Sequence, residues 1–326
     1  MTHLLLATTN GLYVAQPGGA GEWRVTRHAL AGTHVTSVTA REGVILAGAR
    51  DGVRRSDDLG ETWRTMNTGL TQPYVRWLAY HPEVSNFEVA GTEPAGLYVS
   101  RDGGHTWRDA PEVPALRDQH RWFLPYSPEA GCVRGFAFHG QRAYAAVEVG
   151  GVLRSDDGAR TWRLADGSNG NPSLDRPPTP YIDPDVHSIH VHPSSPDRVY
   201  APTGGGFYLS DDGGATWDLR YECYVRAAWV DPADPDHLLL GPADGVASRG
   251  RIEESRDGGR TWQPASGGLD VPWPRDMVDR FTPAGNALLA ILDQGGLLAS
   301  RMGEWQWQRL LANAGHVNAV AVMAVR

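Results

Sequence analysis

The sequence predicts an all-β fold, a seven-bladed β-propeller with four antiparallel strands per blade, in which residues 1–326 form a single domain. Three observations predict it. A box of pattern S-x-D-x-G-x-T-W recurs in phase along the chain, each copy closes a unit of short strand patterns, and the two chain ends supply complementary strands. Composition agrees, because 39 Gly and 23 Pro beside 12 Trp favour many short strands joined by tight turns.

The box sets the ruler. SDDLGETW begins at Ser56, SRDGGHTW at Ser100, SDDGARTW at Ser155, SDDGGATW at Ser210 and SRDGGRTW at Ser255, with gaps of 44, 55, 55 and 45 residues. A further step of 45 reaches Ser300, where SRMGEWQW keeps the Ser and Trp307 but has Met302 in place of the Asp. GEWRV around Trp23 reads as an eroded first copy. Seven units averaging roughly 47 residues fit the ~40–50 of four-stranded blades.

The strands follow in order. The chain opens on a second-strand pattern, Leu4 to Ala7. The third unit reads VRWLAYHPEVSNFEVAGTEPAGLYVSRDGGHTW; the fifth divides into strands at Ser188 to His192, Arg198 to Ala201, Phe207 to Ser210 and from Thr216. Four short strands per unit, repeated about an axis, make a propeller. HVNAVAVMAV at the C-terminus is an unpartnered first strand, so residues 317–325 are expected beside residues 3–8, closing the ring and removing a free edge.

The box resembles the Asp-box, or BNR, repeat of the sialidase-like, WD40/YVTN/BNR-like propellers, whose relatives include sortilin-type receptors, xyloglucanases and photosystem II assembly factors. That resemblance implies a turn between third and fourth strands, away from the functional face. Chemistry agrees: the Asp carboxylate accepts from amides of its own turn, Gly supplies a positive φ, and Trp buries its ring. Asp58, Asp102, Asp157, Asp212 and Asp257 are therefore structural. His105 falls at a variable position of the box and reads as an exposed turn residue. His81-Pro82 and His192-Pro193, at turns after first strands, read as turn caps.

Function is expected at the other end of each blade. The first strands align as THVTSV, PYVRWL, GCVRGF, PDVHSI, CYVRAA, RDMVDR and GHVNAV. After the shared Val come Thr36, Arg76, Arg134, His187, Arg226 and Asn318, with Val278 or Asp279 in the seventh blade. Arginines and a histidine at one height require a bound anion or interleaved carboxylates. The planar guanidinium suits carboxylate or phosphate. Alternatively these arginines satisfy blade carbonyls and pair with Asp279, Glu93 or Glu148.

Loops between second and third strands add Asp51, Glu93, Glu148, Asp244 and Asp293. Glu93 and Glu148, with His187, are the catalytic candidates, because two carboxyls in unlike surroundings can divide general acid and base duty. Two insertions, 109–131 and 165–185, offer recognition groups: His120 and Arg121 from one, Tyr181 and Asp185 from the other. Tyr74 and Tyr224 precede the shared Val and complete the ligand-binding set.

Composition excludes other classes. A net charge of −8 argues against nucleic acid. All 30 cations are arginine, which rules out Schiff-base and P-loop lysines. Cys132 and Cys223 match no metal or redox spacing, and no metal or cofactor is expected. No signal-peptide pattern opens the chain and no stretch reaches the ~20 apolar residues of a membrane helix, so a cytoplasmic monomer or small oligomer is expected.

The expected function is binding of a small anionic ligand, or of a protein partner, at the axial face. The alternatives are a glycosidase- or lyase-like enzyme and a non-catalytic assembly scaffold; whether the chain is an enzyme stays open. Resemblance to sialidases implies an arginine cluster, which Arg76, Arg134 and Arg226 imitate, with Tyr74 or Tyr224 nearby. The expected R-I-P or R-L-P segment is absent, and seven blades replace six.

Overall fold

The computed structural model describes residues 2–18, 22–173 and 177–324. Its strands form seven antiparallel four-stranded sheets. In chain order the inner strands of blades two to seven are Val35–Arg41, Val75–Tyr80, Cys132–His139, His190–Val191, Tyr224–Asp231 and Val278–Ala284. The first blade is closed by Val317–Ala324, antiparallel to Thr2–Thr8, with Leu5 opposite Ala321. The expected closure is thus observed through Ala324; residue 325 lies outside the described residues.

Second strands such as Val44–Ala49, Glu88–Thr92 and Arg142–Glu148 are buried almost throughout. Each lies mid-blade with a neighbouring blade on either side, so both faces select apolar residues. The core is accordingly a series of layers. One, between the third and fourth blades, packs Val89, Leu97, Val147 and Trp162.

The boxes form the predicted turns. Asp102 Oδ1 accepts from the amides of His105 (3.1 Å) and Thr106 (2.9 Å), and its Oδ2 accepts from the Thr106 hydroxyl at 2.6 Å. Ser100 Oγ donates to Asp102 Oδ1 and accepts from Gly104 N, both at 2.8 Å. The hydroxyl and amide of Thr62 hold the equivalent Asp58 carboxyl down to about 2. Gly103 and Gly104 take φ of 76° and 81°, where a side chain is strained. Trp107 reaches the preceding blade and donates to Met66 O at 2.9 Å. His105 is exposed. His81 and His192 cap turns through Nδ1, accepting from the amides of Val84 (3.1 Å) and Ser194 (3.2 Å).

One insertion differs from the loop the sequence suggested. Residues Glu112–His120 form an α-helix, anchored by buried Val113. Pro114 disguises it, yet a proline in the first turn costs no internal hydrogen bond. Among the described residues no helix is long and apolar enough to cross a membrane.

Candidate functional site

A register slip places the axial residues. The inner strand gains one residue on its partner between Val35 and Ser37, Val75 and Trp77, Val133 and Gly135, Val225 and Ala228, and Val278 and Arg280. A bulged residue has no partner opposite it, so its side chain is re-aimed. Those residues include Thr36, Arg76, Arg134, Arg226 and Asp279. The closing strand slips likewise across Asn318. Asp279, rather than Val278, is therefore the seventh-blade member.

The ring divides by side-chain length. Thr36 Oγ1 donates to Val75 O at 2.6 Å, Asn318 Nδ2 to Val35 O at 2.7 Å, and His187 Nδ1 lies 2.9 Å from Val225 O. In each case the residue after the shared Val is tied to the shared Val carbonyl of the next blade. These three are staples between blades. Arg76, Arg134 and Arg226 are long enough to reach the axis.

There they bound a cavity of about 460 Å³, lined also by Tyr74, Trp77, Tyr126, Glu148, Asp279, Arg280 and Asp293. Thr36 and Asn318 reach its wall. His187, Tyr224, Glu93, His120 and Arg121 are not among its lining residues. These five, which the sequence offered as ligand-facing or catalytic, lie outside that lining. His187 is turned into the blade interface by its staple. The hydroxyl of Tyr224 supports Arg226 Nε at 3.1 Å. Glu93 sits behind Arg76, its ion-pair partner, and accepts from Ser127 Oγ at 2.7 Å. His120 packs on Gly170, where an added Cβ would lie 3.0 Å from its ring.

Carboxylates interleave with the cations, as the sequence allowed. Arg134 meets Glu148 at 3.0 Å and Asp279 at 3.4 Å, and Arg226 meets Asp279 at 3.2 Å and Asp293 at 2.5 Å. Burial pushes the Glu148 carboxyl up, but the charge of Arg134, with His187 and Arg76, outweighs it and holds the group at about 2. For Asp279, too, burial is outweighed by Arg134 and Arg226, and the carboxyl stays well below its ordinary range.

Arg280 is the residue the sequence did not single out. Its nearest carboxylate oxygen, on Asp279, is 4.0 Å away. Its hydrogen bond is to Arg134 O at 2.8 Å, and its guanidinium stacks on Trp77. Burial, and then Arg134, disfavour its charge. It stands one residue past the bulge, a displacement no pattern of residue types signals. Tyr126 comes from the insertion and was equally hidden. His34 and His316 were legible, since they precede the shared Val as Tyr74 does; both line the cavity.

No family model matches the chain. It is similar to the oligoxyloglucan-reducing end-specific xyloglucanase of Emericella nidulans, 23% identical over 273 residues that cover 72% of this chain and 32% of the xyloglucanase. The chain thus spans about a third of that relative's length. Among solved structures it is similar to an ancestral GH74 enzyme, with TM-score 0.62, 20% identity, and coverage of 89% of this chain and 38% of that one. It is also similar to YCF48 from Cyanidioschyzon merolae, with TM-score 0.62, 15% identity, and coverage of 92% and 91%. YCF48 bound to D1 peptide gives TM-score 0.60, 15% identity, and coverage of 96% and 89%. At these identities the likeness to solved structures is one of fold.

Proposed function

We propose that this chain is an Asp-box propeller whose axial cavity binds a small anion, a carboxylate or phosphate, free or carried by a partner. One observation carries the reading. Arg280 is a buried guanidinium in the cavity wall with no carboxylate among the described residues closer than 4.0 Å, while the other three arginines each have one within hydrogen-bonding distance. A buried charge without a close counter-charge is costly, and an anion would relieve that cost. A guanidinium already held flat presents paired donors to a carboxylate or phosphate.

A hydrolytic reading has one observation in its favour, the match to a xyloglucanase. Glycoside hydrolysis requires a carboxylic acid kept protonated beside a second carboxylate. Glu148 and Asp279 are held in the ionised form by arginines, and Glu93 is already engaged by Arg76 and Ser127. That chemistry supports binding over hydrolysis.

Calorimetry separates the readings. Succinate, inorganic phosphate, and a short acidic peptide with a free or amidated C-terminus are titrated into wild type and Arg280→Met, and xyloglucan oligosaccharides are assayed for reducing-end release. Saturable binding of an anion, weakened about 10- to 150-fold by Arg280→Met, is expected for loss of charged hydrogen bonds worth about 1.5–3 kcal/mol. Binding only of the free-carboxylate peptide would make a protein the ligand's source. No anion binding at millimolar concentration, or xyloglucan cleavage abolished by Glu148→Gln, overturns the proposal.

A further inference from the structure

We propose that Glu148, Asp185 and His187 form a divalent-cation site in the wall beside the axial cavity. One donor atom from each lies within 4.8 Å of the other two. Glu148 ends the second strand of the fourth blade, while Asp185 and His187 enter the fifth. His187 is fully buried and Glu148 nearly so. Among the described residues no other group of three His, Cys, Asp or Glu donors comes together in this way.

The hydrogen bonds around His187 say which nitrogen is available. The carbonyl oxygen of Val225, 2.9 Å from Nδ1, can only accept, so Nδ1 carries a proton. A backbone carbonyl on one ring nitrogen is how proteins fix the tautomer of a metal-binding histidine. Nε2 then faces Tyr224 Oη at 3.3 Å and Asp185 Oδ2 at 3.2 Å. Arg226 Nε donates to Tyr224 Oη, which leaves the phenolic proton free to point at Nε2.

Asp185 presents the problem that a cation solves. An unprotonated Nε2 and a carboxylate oxygen at 3.2 Å would turn lone pairs toward each other, so a positive species, a proton or a metal ion, belongs between or beside them. A proton on Nε2 would satisfy Oδ2 alone. Asp185 Oδ1 is also buried and has no hydrogen-bond partner among the described residues. The carboxylate lies close over Gly204, where an added Cβ would be 2.4 Å from Asp185 Oδ2.

The donor set selects the ion. One imidazole with two carboxylates suits Zn²⁺, Co²⁺ or Mn²⁺, and three protein ligands leave a coordination position open. Ca²⁺ wants six to eight oxygens, which this site does not offer. Arg134 holds Glu148 Oε2 at 3.0 Å, and the repulsion it adds is offset by Asp279 on its other side.

Metal-stripped full-length protein, titrated with ZnCl2 and MnCl2 by calorimetry and with CoCl2 by visible absorption, tests the site. Wild type is expected to bind one equivalent, and Asp185→Asn and His187→Gln to weaken binding about 10-fold or more. Glu93→Gln is expected to bind as wild type. Circular dichroism checks the folding of His187→Gln; Asp185→Asn, which keeps the side-chain shape, decides the matter if that variant does not fold. Running the anion titrations in chelator lets the anion reading fail or stand separately. Absence of saturable binding to wild type, or unchanged binding in Asp185→Asn, overturns the site.

Discussion

The guanidinium carbon of Arg280 lies 3.6 Å from the centre of the Trp77 ring. The two residues line both the upper axial cavity and a smaller one, about 140 Å³, beneath it. The stack therefore floors the upper chamber, and it helps explain how an arginine whose nearest described carboxylate oxygen is 4.0 Å away is tolerated. A desolvated cation–π contact is worth about 2 kcal/mol, part of what desolvating the cation costs.

Replacing Arg280 separates stability from binding. Arg280→Met keeps a side chain over Trp77 and removes the buried charge, so a melting temperature equal to or above wild type is expected in ligand-free buffer. Differential scanning calorimetry reads it. A fall of several degrees would mean that the arginine stabilises the ligand-free fold and is not held for an anion.

Glu148 behaves oppositely. Glu148→Gln leaves Arg134 with only the 3.4 Å contact to Asp279, and breaking a buried pair from one side costs about 3–5 kcal/mol. Denaturant unfolding at pH 7 measures the loss. The pH dependence follows in sign: a carboxyl at about 2 in the fold and near 4.5 unfolded contributes stability present above pH 4.5 and lost as pH falls toward 2. The variant is expected to lack this acid-side loss.

Glu88 reverses that sign. It pairs across the strand with box residue Ser100, where the corresponding partners of Ser56, Ser155, Ser210, Ser255 and Ser300 are Ile45, Ala143, Val199, Leu238 and Leu288. Burial raises its carboxyl to about 7, outweighing the Ser100 hydroxyl and the charge of Arg55, which pull the other way. Its protonated form is the one the fold accepts, so this contribution is present below pH 4.5 and lost as pH rises through about 7, by about 3 kcal/mol. Unfolding curves at pH 5 and 8 are expected to diverge in wild type and to draw together in Glu88→Gln.

The box is structural, and its loss should show only in stability. Asp157 Oδ1 accepts from the amides of Arg160 and Thr161, and Oδ2 from the Thr161 hydroxyl. Asp157→Ala is expected to cost about 1–2 kcal/mol, as loss of a comparable cap does. Anion affinity by calorimetry should stay within twofold of wild type.

Residue types and spacing carried the blade count, the box turns, ring closure and the height of the axial ring. They carried these because a repeated turn and a shared Val recur at fixed separations, and spacing needs no coordinates. They carried the candidate site only in outline: Arg76, Arg134 and Arg226 were legible, while Asp279 was one of two choices and Tyr126 lay in an insertion whose helix a proline concealed.

What the sequence by itself determined is therefore the ring and the positions from which arginines can reach its axis. Only the tertiary structure decided which charge meets which. Arg134 and Asp279 are 145 residues apart and Arg226 and Asp293 are 67 apart, and one-residue bulges in their inner strands turn Arg134, Arg226 and Asp279 toward these meetings. Ion pairing acts across a few ångströms, so it depends on which blades face each other and on where the bulge turns a side chain. That same geometry left Arg280 stacked on Trp77 with its nearest described carboxylate oxygen 4.0 Å away.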